Sequence, residues 1–247
     1  LGTGLMLVLG GGIVMFAAGV SLWYFGAVIG LGVGAVWAVL ASLPPGLFVA
    51  HVLARWRFPG HALLNGLVHL PLVLPPVVTG YLLLLTFGRR GWVGGWLHDW
   101  LGITFAFRWT GAALAAAVMA FPLMVRSIRL ALEGVDPRLE AAAGTLGASR
   151  GWVFLTVTLP LILPGIIAGA ILAFAKAMGE FGATITFVSN IPGQTQTLPS
   201  AIYAFLQVPG GENSAARLVI VAVVVAMTAL LISEFVSERI ARRVRSA

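Results

Sequence analysis

The chain has 247 residues, of which 60% are hydrophobic and 9% charged, with no cysteine. An ordinary soluble domain is about one quarter charged. A soluble fold built from this composition would expose one continuous apolar patch, so soluble, disordered, collagen-like and disulfide-scaffold classes are excluded. What remains is an all-α polytopic membrane protein. A spanning helix takes about 20 residues, so the length allows about five to seven spans. The formal net charge is +7, from 15 basic and 8 acidic residues.

Residues 3–22 are apolar and uncharged. They are expected to form an extra hydrophobic segment, either a span, an anchor or the core of a signal peptide, although no basic stretch precedes them. The chain opens on Leu1 and not on Met, so a missing or processed start is expected. Residues 25–54 form a second apolar stretch, interrupted by Pro44–Pro45, and Arg55, Arg57 and Pro59–Gly60 mark a loop.

Residues 62–87 are apolar again, with Pro71, Pro75 and Pro76 inside. Each proline removes a backbone donor and bends the helix. A helix broken at mid-membrane frees carbonyls that can line a cavity; a simple kink is the alternative. Thr79 and Gly80 follow directly and are candidates to offer a hydroxyl and bare backbone to a passing solute. Residues 88–109 read as an interfacial loop anchored by Trp92, Trp96, Trp100 and Trp109. Arg89 and Arg90 in that loop are candidates for contact with an external partner or for steering an anion, with an interfacial turn as the alternative.

Residues 110–125 read as a shorter span, and 126–158 as the longest charge-bearing region. Residues 160–188 are apolar with Lys176 and Glu180 embedded. These two are four apart, which on a helix places them on one face, and an ionisable pair inside a membrane is a functional candidate by default. A structural ion pair is the alternative. Residues 189–213 form a polar loop around the apolar stretch Leu198 to Leu206, residues 216–236 are the last span, and the tail carries Arg239, Arg242, Arg243 and Arg245.

The loop at 55–61, the 126–158 region and the tail together hold ten of the 15 basic residues. Basic loops stay cytoplasmic, so these three are expected on the cytoplasmic side and the basic excess reports orientation, with no nucleic acid implied. Six spans are expected if residues 3–22 cross, five if they do not. No phosphate-cradling Gly-rich loop with a Lys is present, so the chain is not expected to hydrolyse ATP by itself. Nor is a metal site expected, because His51, His61, His69 and His98 lack ligand spacing and a partner Cys. Glycines recurring every fourth residue, at 26, 30 and 34 and at 165 and 169, allow close helix approach.

The stretch 139–164 reads Leu-Glu-Ala-Ala-Ala-Gly-Thr-Leu-Gly-Ala-Ser-Arg-Gly-Trp-Val-Phe-Leu-Thr-Val-Thr-Leu-Pro-Leu-Ile-Leu-Pro. It resembles the cytoplasmic coupling motif of ABC importer permeases: Glu-Ala-Ala, three residues, Gly, nine residues, an aliphatic residue, any residue, Leu-Pro. Counted from Gly147, the motif falls on Ala141, Ala142, Ala143, Val157, Leu159 and Pro160, and its acidic position is taken by Ala141. Glu140 stands one residue earlier. Further stretches are similar to the molybdate permease family: His69 to Gly80 with Leu-Pro-Pro-Val-Val, Phe87 to Gly91, Gly102-Ile-Thr-Phe, Arg126 to Asp136, Gly179-Glu-Phe-Gly-Ala-Thr184 and Ser189-Asn-Ile-Pro-Gly193. The related sulfate and thiosulfate permeases share the coupling region.

This resemblance covers the chain from about residue 25 to the tail. It implies a type I ABC importer permease domain over 23–247 with a coupling region at 138–160, in a bacterial or archaeal plasma membrane. It further implies a second copy of the chain, two ATP-binding subunits carrying ATP and Mg, and an extracytoplasmic molybdate-binding protein. No cofactor is implied in this chain. Molybdate is the implied substrate, with tungstate beside it and sulfate as the alternative. A stand-alone channel or membrane enzyme is the rival from another class.

Overall fold

A computed structural model of the chain describes residues 22–245, with side chains from Val33 to Thr228 and at Leu231 and Phe235. The extra segment expected over 3–22 lies, except for Leu22, outside the described residues. All regular elements among those residues are helices: α1 (Leu22–Arg55), α2 (His61–Val73), α3 (Pro76–Phe87), α4 (Trp92–Leu101), α5 (Trp109–Glu133), α6 (Pro137–Thr145), α7 (Arg150–Val153), a π-helical turn (Phe154–Thr158), α8 (Leu159–Met178), α9 (Gly182–Val188), α10 (Leu198–Leu206) and α11 (Glu212–Arg245).

Among the described residues, three segments are long and apolar enough to cross a membrane: Val33–Arg55, Trp109–Glu133 and Arg150–Met178. The α2–α3 pair, bent by 116°, makes a fourth if it counts as one span. The other expected spans fall on 3–22 and on α11, whose far half lies beyond the described side chains.

Tandem prolines occur twice with opposite outcomes. A residue before proline is pushed out of the helical region. At Leu74–Pro75 both residues are extended, with ψ of 144° and 134°, and the helix breaks. At Pro44–Pro45 the helix runs through without interruption, contrary to the expected break. The difference is packing. Ala35, Ala38, Val39, Ala50 and Leu53 of α1 are buried along the α5–α8 core on both sides of the prolines, and that contact holds one continuous axis. After Leu74 the chain instead turns to lay Thr79, Gly80 and Leu83 inward.

Three other expectations change. The interfacial loop contains a ten-residue helix, α4, with Trp92, Trp96 and Trp100 exposed one turn apart. The short span expected over 110–125 is α5, 25 residues long; Ile128 and Leu132 are fully buried beyond the expected end, which extends the helix into the charged region. The apolar stretch 160–188 is two helices, because α8 stops at Met178 and α9 begins at Gly182.

Lipid tails are as apolar as a leucine side chain, so helices in a membrane associate through close packing and not through removal from water. The α5–α8 seam shows this. A Cβ at Gly165 would lie 2.3 Å from the Ala131 Cβ, and Ser127 Oγ donates to the Gly165 carbonyl at 3.0 Å. Gly34, by contrast, has nothing within 4 Å where its Cβ would be. A second cluster joins α3, α5 and α9 around Leu83, Met119, Phe187 and Val188, and a third joins α10 and α11 around Leu198, Ala201 and Leu218. Helix α10 starts where Thr197 and Ser200 satisfy each other's backbone N–H groups in a capping box.

Candidate functional site: the coupling end and the broken helices

The expected sidedness has a geometric counterpart. Arg55 Nη2 lies 2.8 Å from Glu140 Oε1, and Arg129 Nη1 donates to Asn65 Oδ1 at 3.1 Å. The 55–61 loop and the 126–158 region therefore share one end of the bundle. The other end gathers Phe87, Phe105 and Val188 around the start of α5, and α5 carries the chain between the two ends over about 37 Å at 1.5 Å per residue. Arg89 and Arg90 lie there, exposed in the turn between α3 and α4.

At the first end, Asp136 caps α6 by accepting from the Arg138 N–H at 2.9 Å, and Pro137 occupies the first helical position, where no donor is needed. Helix α6 ends in a tight turn with Gly147 at φ +86°, a conformation that costs a residue with a Cβ about 1–2 kcal/mol. Ser149 caps α7, and the π-turn leads into α8, with Pro160 in its first turn.

The motif residues divide by direction. Ala141, Ala142 and Gly147 face outward, and Ala143 is half-buried. Ala143 and Gly147 also line an open concavity of about 690 Å³, with Leu146, Ala148, Ser149, Trp152 and Thr156. Leu146 is 89% exposed and Trp152 62% exposed. Two large apolar side chains beside small ones form a surface suited to a partner's apolar contact. Leu159 packs against the α1–α5–α8 core, Val157 is half-buried and Pro160 is exposed.

Glu140 points the other way. Its Oε1 accepts from Arg55 Nη2 at 2.8 Å and from Thr158 Oγ1 at 2.7 Å. Four residues before Arg55, His51 meets Phe154 of the π-turn edge to face at 5.4 Å. The sequence marks Arg55 only as the edge of a basic loop and Thr158 only as the unspecified motif position between Val157 and Leu159. The Arg55–Glu140 contact spans 85 residues, and no local spacing signals it. Leu146 and Trp152 lay inside the quoted stretch, but only their exposure marks them.

The candidate path residues gather at the two helix breaks. Lys176 is in the last turn of α8, whereas Glu180 stands beyond the helix end, so the pair does not share one helical face as expected. The two still meet, with Lys176 Nζ 2.9 Å from Glu180 Oε2. Glu180 Oε1 also accepts from the Ala183 N–H at 2.9 Å, at the start of α9, and the residue is 2% exposed. A Cβ at Gly182 would lie 2.7 Å from the Pro76 Cβ, so a bare residue there lets α9 start against the first turn of α3.

Gly80 is the contact point between α3 and α9. A Cβ there would lie 2.5 Å from the Ala183 carbonyl oxygen and 2.9 Å from the Thr186 Cβ. Within this chain its bare backbone therefore faces α9. Thr79 is 5% exposed and its Oγ1 has no hydrogen-bond partner. The usual acceptor one turn back is the Pro75 carbonyl, which already receives the N–H groups of Val78 at 2.9 Å and Thr79 at 3.3 Å. Elsewhere, His61 Nε2 lies 3.0 Å from the Leu53 carbonyl and His69 Nδ1 2.9 Å from that of Asn65.

A family model described as "Binding-protein-dependent transport system inner membrane component" matches residues 42–246. The chain is 67% identical over 205 residues to the molybdenum transport system permease protein ModB of Escherichia coli (strain K12), covering 83% of this chain and 89% of that one. It is 56% identical over 209 residues to the protein of that name from Haemophilus influenzae, covering 85% and 91%. To the sulfate transport system permease protein CysW of Synechocystis it is 38% identical over 197 residues, covering 78% and 70%. Its fold is similar to that of a bacterial ABC transporter involved in the import of the acidic polysaccharide alginate, with TM-score 0.72, 17% identity and coverage of 93% and 83%. A structure of the alginate transporter in complex with its pentasaccharide-bound periplasmic protein matches with TM-score 0.70 and 20% identity, over 89% and 80%.

Proposed function

The chain belongs to the family of binding-protein-dependent transport system inner membrane components, and from that premise we propose that it is the permease subunit of an ABC importer that carries molybdate across the bacterial inner membrane. The observation that carries the substrate class is the 67% identity to a molybdenum permease over 83% of the chain, against 38% to a sulfate permease.

The functional unit of this reading is two copies of the chain, two ATP-binding subunits on the cytoplasmic side and an extracytoplasmic molybdate-binding protein. ATP and Mg belong to the ATP-binding subunits. The concavity beside α6, with Leu146 and Trp152 at its edge, is the surface on which an ATP-binding subunit docks. Closure of the two ATPases then moves α6 and α7 as a rigid body, and the π-turn passes the movement into α8. The broken helices α3 and α9, with Thr79, Gly80, Lys176 and Glu180, lie along the path, and Arg89 and Arg90 face the binding protein. Tight oxyanion recognition resides in the binding protein, because a substrate held firmly inside the membrane would not leave. Tungstate, of the same charge and shape, takes the same route.

The test is uptake of labelled molybdate by cells that hold the ATPase and the binding protein, with and without this chain. Uptake is expected to require the chain and to persist in excess sulfate. Uptake abolished by sulfate would assign the chain to the sulfate class, and uptake indifferent to the ATPase would make it a channel. A second arm uses Gly147→Asp, which places a charge on the docking surface. Uptake is expected to fall while the amount of chain in the membrane stays unchanged.

A further inference from the structure

We propose that Glu140 is a positioning residue that ties the docking helix to the spans inside this chain, and not a contact offered to the ATPase. The inference rests on the permease reading above and concerns how the coupling end works.

Helix α6 has no buried residue of its own. It is short, exposed and held at its ends by a cap and a glycine turn, so apolar packing cannot make it move with the spans. Among the described residues, the side-chain hydrogen bonds that leave α6 for a span or for the π-turn converge on one atom, Glu140 Oε1. One donor is Arg55, the last residue of α1. The other is Thr158, the last residue of the π-turn, which is 2% exposed. A single oxygen thus joins the docking helix, the end of one span and the start of another.

Charge-assisted hydrogen bonds are short, strong and directional, which suits them to transmit a displacement. The π-turn is where the displacement is taken up: π-turns are wider than the α-helix and recur at functional positions. Phe154, at its first residue, rests edge-on against His51 of α1. The π-turn is therefore gripped at both ends, by His51 through Phe154 and by Glu140 through Thr158. A pull on α6 reaches α1 through Arg55 and α8 through Thr158 together. Loss of the carboxylate would leave α6 docked on its partner but slack against the spans.

The experiment uses the complete transporter, this chain with its ATPase and binding protein, in liposomes. It measures three quantities: ATPase bound per permease, ATP hydrolysed, and labelled molybdate taken up. For Glu140→Gln the bound ATPase and basal hydrolysis are expected to stay as in wild type, while molybdate taken up per ATP falls about tenfold, the scale of one lost hydrogen bond to a charged group. Arg55→Gln and Thr158→Val, which remove one donor each, are expected to lower the same ratio by smaller factors. The exchange Arg55→Glu with Glu140→Arg is expected to restore part of it. These three variants also carry the test if Glu140→Gln does not insert.

Loss of bound ATPase in Glu140→Gln would make Glu140 a partner contact and overturn the proposal. An unchanged molybdate-to-ATP ratio in all four variants would also overturn it. A wild-type transporter that takes up no molybdate would instead sink the substrate reading, a separate result.

Discussion

Two carboxylates, Glu140 at the charge-bearing end of the bundle and Glu180 inside its apolar body, are held in the same way for different purposes. Glu140 accepts from a cation, Arg55, and from a hydroxyl, Thr158. Glu180 accepts from a cation, Lys176, and from a backbone N–H, that of Ala183. The partners of Glu180 are four and three residues away, so its network closes on itself: it ends α8, starts α9 and neutralises Lys176. The partners of Glu140 are 85 and 18 residues away, so its network fastens three elements together. Side-chain exposure follows, at 1% for Glu180 and 26% for Glu140. A buried local pair shapes the chain, whereas a partly exposed remote pair can pass motion between parts.

Removing each carboxylate in turn separates the two roles by their effect on stability. Glu180→Ala leaves the Lys176 ammonium without its counter-ion and the Ala183 N–H without an acceptor in an apolar setting. Breaking a buried pair by removing one partner costs about 3–5 kcal/mol; because Lys176 keeps a 31% exposed side chain, the expected loss is about 3 kcal/mol, at the lower end of that range. It is read as a lowered denaturant midpoint in detergent. Glu180→Gln, which keeps an acceptor for Ala183, is expected to lose less. If Glu140→Ala destabilised the chain as much as Glu180→Ala, burial would not be what separates the two.

The same contrast explains what sequence reading could reach. The membrane class and the helical architecture were legible because each is written in composition or in short spacing. So was the Lys176–Glu180 contact, whose residues are four apart. The end of α8 at Met178 was not, since a run of apolar residues looks alike whether one helix or two traverse it. Pro44–Pro45 and Pro75–Pro76 look alike as well, and only the α5–α8 core beside the first pair distinguishes them. The Arg55–Glu140–Thr158 node was illegible for a stricter reason: helices that meet far apart in sequence leave no period to detect. At the candidate path, Gly80 stood out as bare backbone near a break, and the structure places α9 against it.

That contact gives the next test. Gly80→Ala would set a methyl group 2.5 Å from the Ala183 carbonyl oxygen. Backbone cannot rotate away as a side chain can, so α3 and α9 must separate. Overpacking of this kind costs about 1–3 kcal/mol, less than loss of the Glu180 carboxylate if that group is what anchors the start of α9. A shift in thermal midpoint larger than that of Glu180→Ala would reverse the order and make α3–α9 contact, and not the ion pair, the main support of the broken helices.

The smallest effect belongs to a third carboxylate, which serves as the control. Glu133 Oε1 accepts from Arg129 Nε at 2.7 Å, a shorter ion-pair distance than that of Glu140 to Arg55 or of Glu180 to Lys176, with 41% of the Glu133 side chain exposed. Distance alone would rank it as strong as Glu140 or Glu180. Exposure argues otherwise, because water screens the pair and solvates both groups when they part. A pair at this spacing on an exposed helix face is worth about 0.3–0.5 kcal/mol. Arg129 also keeps its bond to Asn65 Oδ1 at 3.1 Å when Glu133 is gone, so Glu133→Ala is expected to leave the thermal midpoint almost unmoved and molybdate uptake unchanged. A loss near that of Glu180→Ala would mean that ion-pair geometry, and not burial or the distance between joined elements, sets the weight of each carboxylate in this molecule.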